Sequence, residues 1–255
     1  MTTQSNPFMA SETRVPDAFP GTGEFIPEGQ VVPAGRGVSW ISRGWEMFRA
    51  APGTWIGLSV LFLAIVFLLA MIPVVNVLLN LLLPIFVGGI VMGCKAQEEG
   101  GELRVGHLFA AFQGYAGKLA LVGLMYVVGI IVIALAVAVV GGGIGFGSAM
   151  MGGGSPSPAA FLVPALIAAL LFVPLAMAVW YAPALVIFHG VAPVQAMKSS
   201  FFACLKNFMP FLVYSLVLVV LAIAASLPLG LGWLVLVPVS QASIYASYRD
   251  MFTRS

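Results

Sequence analysis

The hydrophobic positions of this chain follow two rhythms. In long blocks nearly every position is apolar, and between the blocks short stretches are apolar only every third or fourth residue. Val194–Phe211, VQAMKSSFFACLKNFMPF, shows the passage from one rhythm to the other. Val194, Met197, Phe201 and Cys204 are three or four residues apart, which places them on one face of a helix, with Lys198, Ser199 and Lys206 largely opposite. The stretch predicts a short amphipathic helix running into an uncharged span that begins near Pro210.

The same unit occurs twice earlier. In GVSWISRGWEMFRAAPGTW the apolar positions are Val38, Ile41, Trp45 and Phe48, with Ser42, Arg43, Glu46 and Arg49 opposite. The middle copy has Val105, Phe109 and Phe112 in the matching places, with Glu102 at the first of them. Uncharged segments follow near Thr54 and Lys118. The second span of the unit also recurs: Pro84 precedes Lys95 as Pro238 precedes Arg249, and Gly88, Gly89 and Gly93 correspond to Ala242, Ser243 and Ser247. The pattern predicts an all-α integral membrane fold, six transmembrane helices arranged as three repeats of an interfacial amphipathic helix plus a helical hairpin.

Charge placement sets the span boundaries. Only 8% of residues are charged and 61% are hydrophobic, against about 25% charged in a soluble domain. No Asp, Glu, Lys or Arg occurs from Ala50 to Cys94, from Leu119 to Met197, or from Asn207 to Tyr248. At about 20 residues per span, each block holds two helices. The expected spans are about 54–72, 76–94, 119–140, 159–181, 210–227 and 230–248 within a domain of residues 36–255. Residues 1–35, polar and broken by five prolines, are expected to be a disordered cytoplasmic tail. No basic stretch followed by an apolar one opens the chain, so no cleaved signal peptide is expected. Lys and Arg flank alternate connections, which predicts cytoplasmic termini and an outward-facing loop at 141–158. That loop, GGGIGFGSAMMGGGSPSP, lacks the Lys-Ser/Thr of a phosphate-binding loop and is expected to be a flexible linker. Cys94 and Cys204 fall on the cytoplasmic side and are expected to be free thiols. The net charge of +2 is spread along membrane edges and is not a nucleic-acid signature.

The candidate functional residues are few. Trp40, Trp45 and Trp55 cluster at the entry to span one, and with Phe109 and Phe201 they are the expected membrane-interface anchors. Asn76 and Asn80, one turn apart in span two, and Ser240 and Gln241 in span six are the candidates for an intramembrane polar cluster; helix-to-helix hydrogen bonding is the alternative use of these groups. Pro174 and Pro183 predict a bent or broken span four. His107 and His189 are distant in sequence, and neither stands in a metal-ligand spacing.

The runs SWISRGWEMFRAAPGTWI and YAPALVIFHGVAPVQAMKSSFFACLKNFMPF resemble those of a family of uncharacterised bacterial multi-span inner-membrane proteins. The resemblance implies a bacterial inner-membrane location and a multi-span fold, and it carries over no catalytic residue.

Two functions are in view. The first is an integral membrane protein without catalytic chemistry, serving as an accessory, scaffold or envelope-maintenance factor. It follows from the lack of HExxH, GxSxG and P-loop motifs and of any carboxylate within a span. No enzyme activity, cofactor or metal is expected. The partners would be the lipid bilayer and another membrane protein or a second copy, not nucleic acid. The alternative is a transporter, channel or lipid-handling protein for a neutral or apolar solute. Convergence of Asn80, Ser240 and Gln241 on one cavity would favour the alternative.

Overall fold

The computed structural model describes residues 23–150 and 158–254. Among them are nine α-helices and one 3-10 helix: α1 (Arg36–Ala50), α2 (Pro52–Ala70), α3 (Pro73–Glu98), the 3-10 helix Val105–Phe112, α4 (Ala116–Met150), α5 (Pro158–Trp180), α6 (Ala182–His189), α7 (Pro193–Lys206), α8 (Phe208–Ser226) and α9 (Trp233–Phe252). The β pairing among the described residues is a single isolated antiparallel bridge, Phe25 with Thr253.

Proline starts several of these helices. Pro52, Pro73, Pro183 and Pro193 occupy the first turn of α2, α3, α6 and α7, where the missing N–H has no intrahelical partner to lose. Span four carries Pro164 and Pro174 within α5 without a break, then breaks at Tyr181 and restarts as α6. Gly190 then ends α6 in the left-handed conformation, at φ 64°.

Among the described residues, five helical segments are long and apolar enough to cross a membrane: Pro52–Ala70, Leu78–Glu98, Ala116–Ile144, Phe161–His189, which takes in α5 and α6, and Phe208–Ser226. α9, expected as a sixth, is long enough but less apolar, because it carries Ser240, Gln241, Ser243, Ser247, Arg249 and Asp250. Its composition follows its surroundings. α9 packs against α1, α2, α3 and α8, and eleven of its residues are buried by protein. A helix shielded in this way can keep polar groups provided each finds a partner. Of the five apolar windows, Leu78–Glu98 is 56% buried and the others 6–17%, so α3 is the inner one and the rest turn most of their surface outward.

The amphipathic segments pack against the spans. α1 lies on α8 and α9, the 3-10 helix on α3 and α2, and α7 on α5, α6 and α4. Small residues permit the close approaches. A Cβ on Gly44 of α1 would fall 2.5 Å from the Val239 carbonyl of α9, and one on Gly89 of α3 would fall 2.3 Å from the His107 carbonyl.

Three expectations need correction. The middle amphipathic segment is a 3-10 helix, not an α-helix, and its buried residues are Leu108 and Ala111, while Val105, Phe109 and Phe112 are 37–43% exposed. With three residues per turn, Leu108 and Ala111 share the inward edge, and Phe109 and Phe112 the next one. The glycine-rich stretch after span three is helical as far as Met150 rather than a loop from 141. Glycine costs a helix about 1 kcal/mol in water, but next to hydrocarbon an unbonded backbone costs more. Residues 151–157 of the expected loop lie outside the described residues.

The third correction concerns the tail. Residues 1–22 lie outside the described residues, but 24–35 form an ordered strap rather than a disordered segment. The Ile26 and Gln30 N–H groups donate to the Phe252 and Met251 carbonyls at 2.9 and 2.8 Å, and the Arg254 N–H donates to the Glu24 carbonyl at 3.1 Å. Asn207, fully buried, accepts from the Val32 N–H at 2.8 Å and donates to the Gln30 carbonyl at 2.9 Å. Composition argued for disorder because the segment cannot form a core of its own; here it uses the helix ends of others.

Candidate functional site

The C-terminal ends of α3, α6 and α9 converge at one end of the molecule, and a cavity of about 360 Å³ opens between them. α3 contributes Lys95 and Glu98, and Glu99 just past its end stands one turn from Lys95. α6 contributes Phe188 and His189, and α9 contributes Tyr245, Tyr248 and Arg249 on successive turns of one face; Gly23 and Thr253 complete the rim.

The walls are tied together across helices. Glu98 accepts a hydrogen bond from the Tyr245 hydroxyl and pairs with Arg249, whose Nη2 lies 3.1 Å and Nε 3.2 Å from Oε1. Both charged side chains are mostly buried, at 12% and 17% exposure. His189 Nε2 lies 2.6 Å from the Tyr248 hydroxyl. The His189 ring stacks on Phe25 of the strap, centroids 3.6 Å apart. Lys95 and Glu99 form a looser pair at 3.7 Å, both about half exposed or more. The Lys95 ammonium also sits over the Phe188 ring, 5.2 Å from its centroid.

A second ionic centre joins α1 to α9. The Asp250 carboxylate, 8% exposed, accepts from Arg36 Nε at 2.7 Å, from Arg36 Nη2, and from the Trp40 indole N–H at 2.8 Å. The hydrogen bond to Asp250 raises the Arg36 pKa above its ordinary value, partly opposed by burial. Gln30 of the strap donates to the Asp250 backbone carbonyl at 2.7 Å. In α7, burial pushes the Cys204 thiol up to about 12. Both cysteines are free and buried.

The expected site residues are distributed as follows. Trp40 and Trp55 are fully buried, and their indole N–H groups are taken by protein: Trp40 by Asp250, and Trp55 by the Met47 carbonyl at 3.1 Å and Gln97 Oε1 at 3.2 Å. They therefore pack helices together. Trp45 and Phe109 are each 43% exposed. Trp45 stacks on Phe48, Phe109 packs edge-on to Phe86, and Phe201, half-buried, packs edge-on to Phe202. Gln241 accepts from Ser59 of α2 at 3.2 Å. Ser240 returns its hydroxyl to the Val237 carbonyl of its own helix at 2.8 Å. Asn80 lines an apolar groove with Pro84, Tyr126 and Trp180, to which neither Ser240 nor Gln241 contributes. The Asn76 side chain lies outside the described residues. His107 accepts from the Arg104 N–H at 3.0 Å on Nδ1, capping the 3-10 helix.

Sequence reasoning missed the polar end. A signal was present: Lys95 and Arg249 stand at matched distances after Pro84 and Pro238, and Glu98 follows Lys95 by three residues. What it lacked was any local mark joining these to His189.

The five apolar segments among the described residues, with charged groups gathered at one end, define a multi-pass membrane protein. Over 249 residues the chain is 30% identical to a probable inner membrane protein of Burkholderia thailandensis, a match covering 87% of this chain and 92% of that protein. The chain belongs to this family of bacterial inner membrane proteins, as the two signature stretches implied. No family model matches the chain, and no solved structure matches it.

Proposed function

We propose that the protein is a non-catalytic membrane component, an accessory or scaffold factor, whose three helical units close into a ring of six spans with both termini in the cytoplasm. The support for the ring is the order of contacts. Each amphipathic segment lies on the second span of the unit before it: the 3-10 helix on α3, α7 on α5 and α6, and α1 on α9, which joins first to last. α9 counts as the sixth span in this reading, its polar groups tolerated because the ring buries them. The cytoplasmic orientation rests on the basic residues gathered at the charged end.

The observation that carries the functional reading is the use made of the buried ionic groups. Arg36–Asp250 and Arg249–Glu98 each join different helices at one end of the molecule, which is what a rigid platform requires. The test is purification from native membranes in mild detergent. A protein partner at fixed stoichiometry supports the scaffold reading. A preparation holding only lipid supports the second reading, handling of a lipid or apolar solute. That second reading is favoured by a groove of about 470 Å³ between α5 and α8, lined by Phe172, Met177, Trp180, Phe208 and Leu212.

A further inference from the structure

The cavity between α3, α6 and α9 has two charges of each sign in its walls, Lys95 and Arg249 against Glu98 and Glu99. Two of the four are committed: Glu98 holds Arg249 and the Tyr245 hydroxyl. The other two, Lys95 and Glu99, stand one turn apart on the rim at 3.7 Å, 48% and 62% exposed. An ion pair so exposed gains little from its own contact, since water screens both charges. Each partner can therefore turn to a ligand at small cost.

A ligand bearing one kind of charge is poorly matched here. An anion would face Glu98, Glu99 and the carbonyl ends of α3 and α9, where the helix dipole is negative. A cation would face Lys95 and Arg249. A molecule carrying both charges a few ångströms apart can place each against its opposite. The aromatic walls sharpen the assignment, because ring faces attract ammonium groups, and Lys95 already shows the geometry by sitting 5.2 Å over Phe188. The cavity also lies at the charged end of the apolar spans, the level at which lipid headgroups meet water.

We propose that this cavity binds a phospho-amine zwitterion, its phosphate on Lys95 and its ammonium on Glu99 against the Phe188 ring. The site goes beyond the scaffold reading and does not depend on it. The same chemistry can arrive as a phosphatidylethanolamine headgroup or as free phosphoethanolamine.

The full chain is placed in nanodiscs of phosphatidylglycerol, alone or with increasing phosphatidylethanolamine, and retained lipid is read by native mass spectrometry beside thermal unfolding. One phosphatidylethanolamine retained per chain, with a rise in Tm over phosphatidylglycerol alone, is the expected result. Lys95→Gln and Glu99→Gln should each cut retention at least tenfold while unfolding as wild type in pure phosphatidylglycerol. Arg104→Gln, on an exposed pair with Glu102 that does not line the cavity, should change nothing. If soluble phosphoethanolamine raises Tm in pure phosphatidylglycerol and the lipid is not retained, the site holds and its source is aqueous. Equal retention of the two lipids, or wild-type retention by both cavity variants with no response to soluble phosphoethanolamine, overturns the proposal.

Discussion

Removing the Asp250 carboxylate tests what closes α1 onto α9. Asp250→Ala deletes three charge-assisted hydrogen bonds, two from Arg36 and one from Trp40. It also leaves the Trp40 N–H without its acceptor in a ring that is 1% exposed. A buried donor left unsatisfied costs about 1–3 kcal/mol, and breaking a buried ion pair from one side costs about 3–5 kcal/mol. Arg36 is 32% exposed, so water recovers part of its charge, and a total near 3 kcal/mol is expected. At about 2–4 °C per kcal/mol for a chain of this size, Tm in detergent should fall by roughly 6–12 °C. Trp40→Phe removes one donor and replaces the buried indole with a smaller phenyl ring, so it should cost about 1 kcal/mol for the hydrogen bond plus the penalty of the cavity the smaller ring leaves. Arg254→Gln, which breaks a pair with Glu24 that is 70% and 79% exposed, should shift Tm by about 2 °C or less. The assay is thermal unfolding of the purified variants followed by tryptophan fluorescence and by loss of monodisperse protein. If Asp250→Ala and Arg254→Gln unfold together, the carboxylate is not what joins the first unit to the last.

Three further outcomes are expected. Deleting residues 2–33 should lower detergent stability by about 2 kcal/mol more than deleting 2–22, because only the longer deletion removes hydrogen bonds to Asn207, Met251 and Phe252; equal stability of the two would mean the strap contributes nothing. Gly44→Ala and Gly89→Ala should reduce the yield of folded protein, since each Cβ would press on a carbonyl of the neighbouring segment. Gly117→Ala, with open space around it, should be neutral or slightly stabilising, and comparable loss in all three would point to a general effect of side chains rather than to close packing. Cys204 should react with maleimide at least a hundredfold more slowly in the folded protein than after denaturation, at pH 7 and pH 8 alike. The residue is 2% exposed and its pKa is pushed up to about 12 by burial, so the reactive thiolate is scarce at both values; fast labelling in the folded protein would contradict the packing of α7 on α5.

The membrane class, the positions of the five apolar helices and the existence of α1 and α7 were legible in the sequence. Each is a local property: a run of about twenty uncharged residues, or an apolar residue every third or fourth position, declares itself without reference to the rest of the chain. The break in span four before Pro183 was legible for the same reason, since proline favours the first turn of a new helix, although α5 runs through Pro174 unbroken. The tertiary structure decided the rest. It took Trp40 and Trp55, whose type suits an interface equally well, and enclosed them against Asp250 and Gln97. It turned a proline-broken segment into a strap by giving its backbone groups partners on α9 and at Asn207. It brought Glu98 to Tyr245 across 147 positions and Arg36 to Asp250 across 214. Such pairings leave no periodicity behind, because a buried charge or indole is stable only through a partner that the fold alone delivers, and the same residue beside water would read no differently in the sequence.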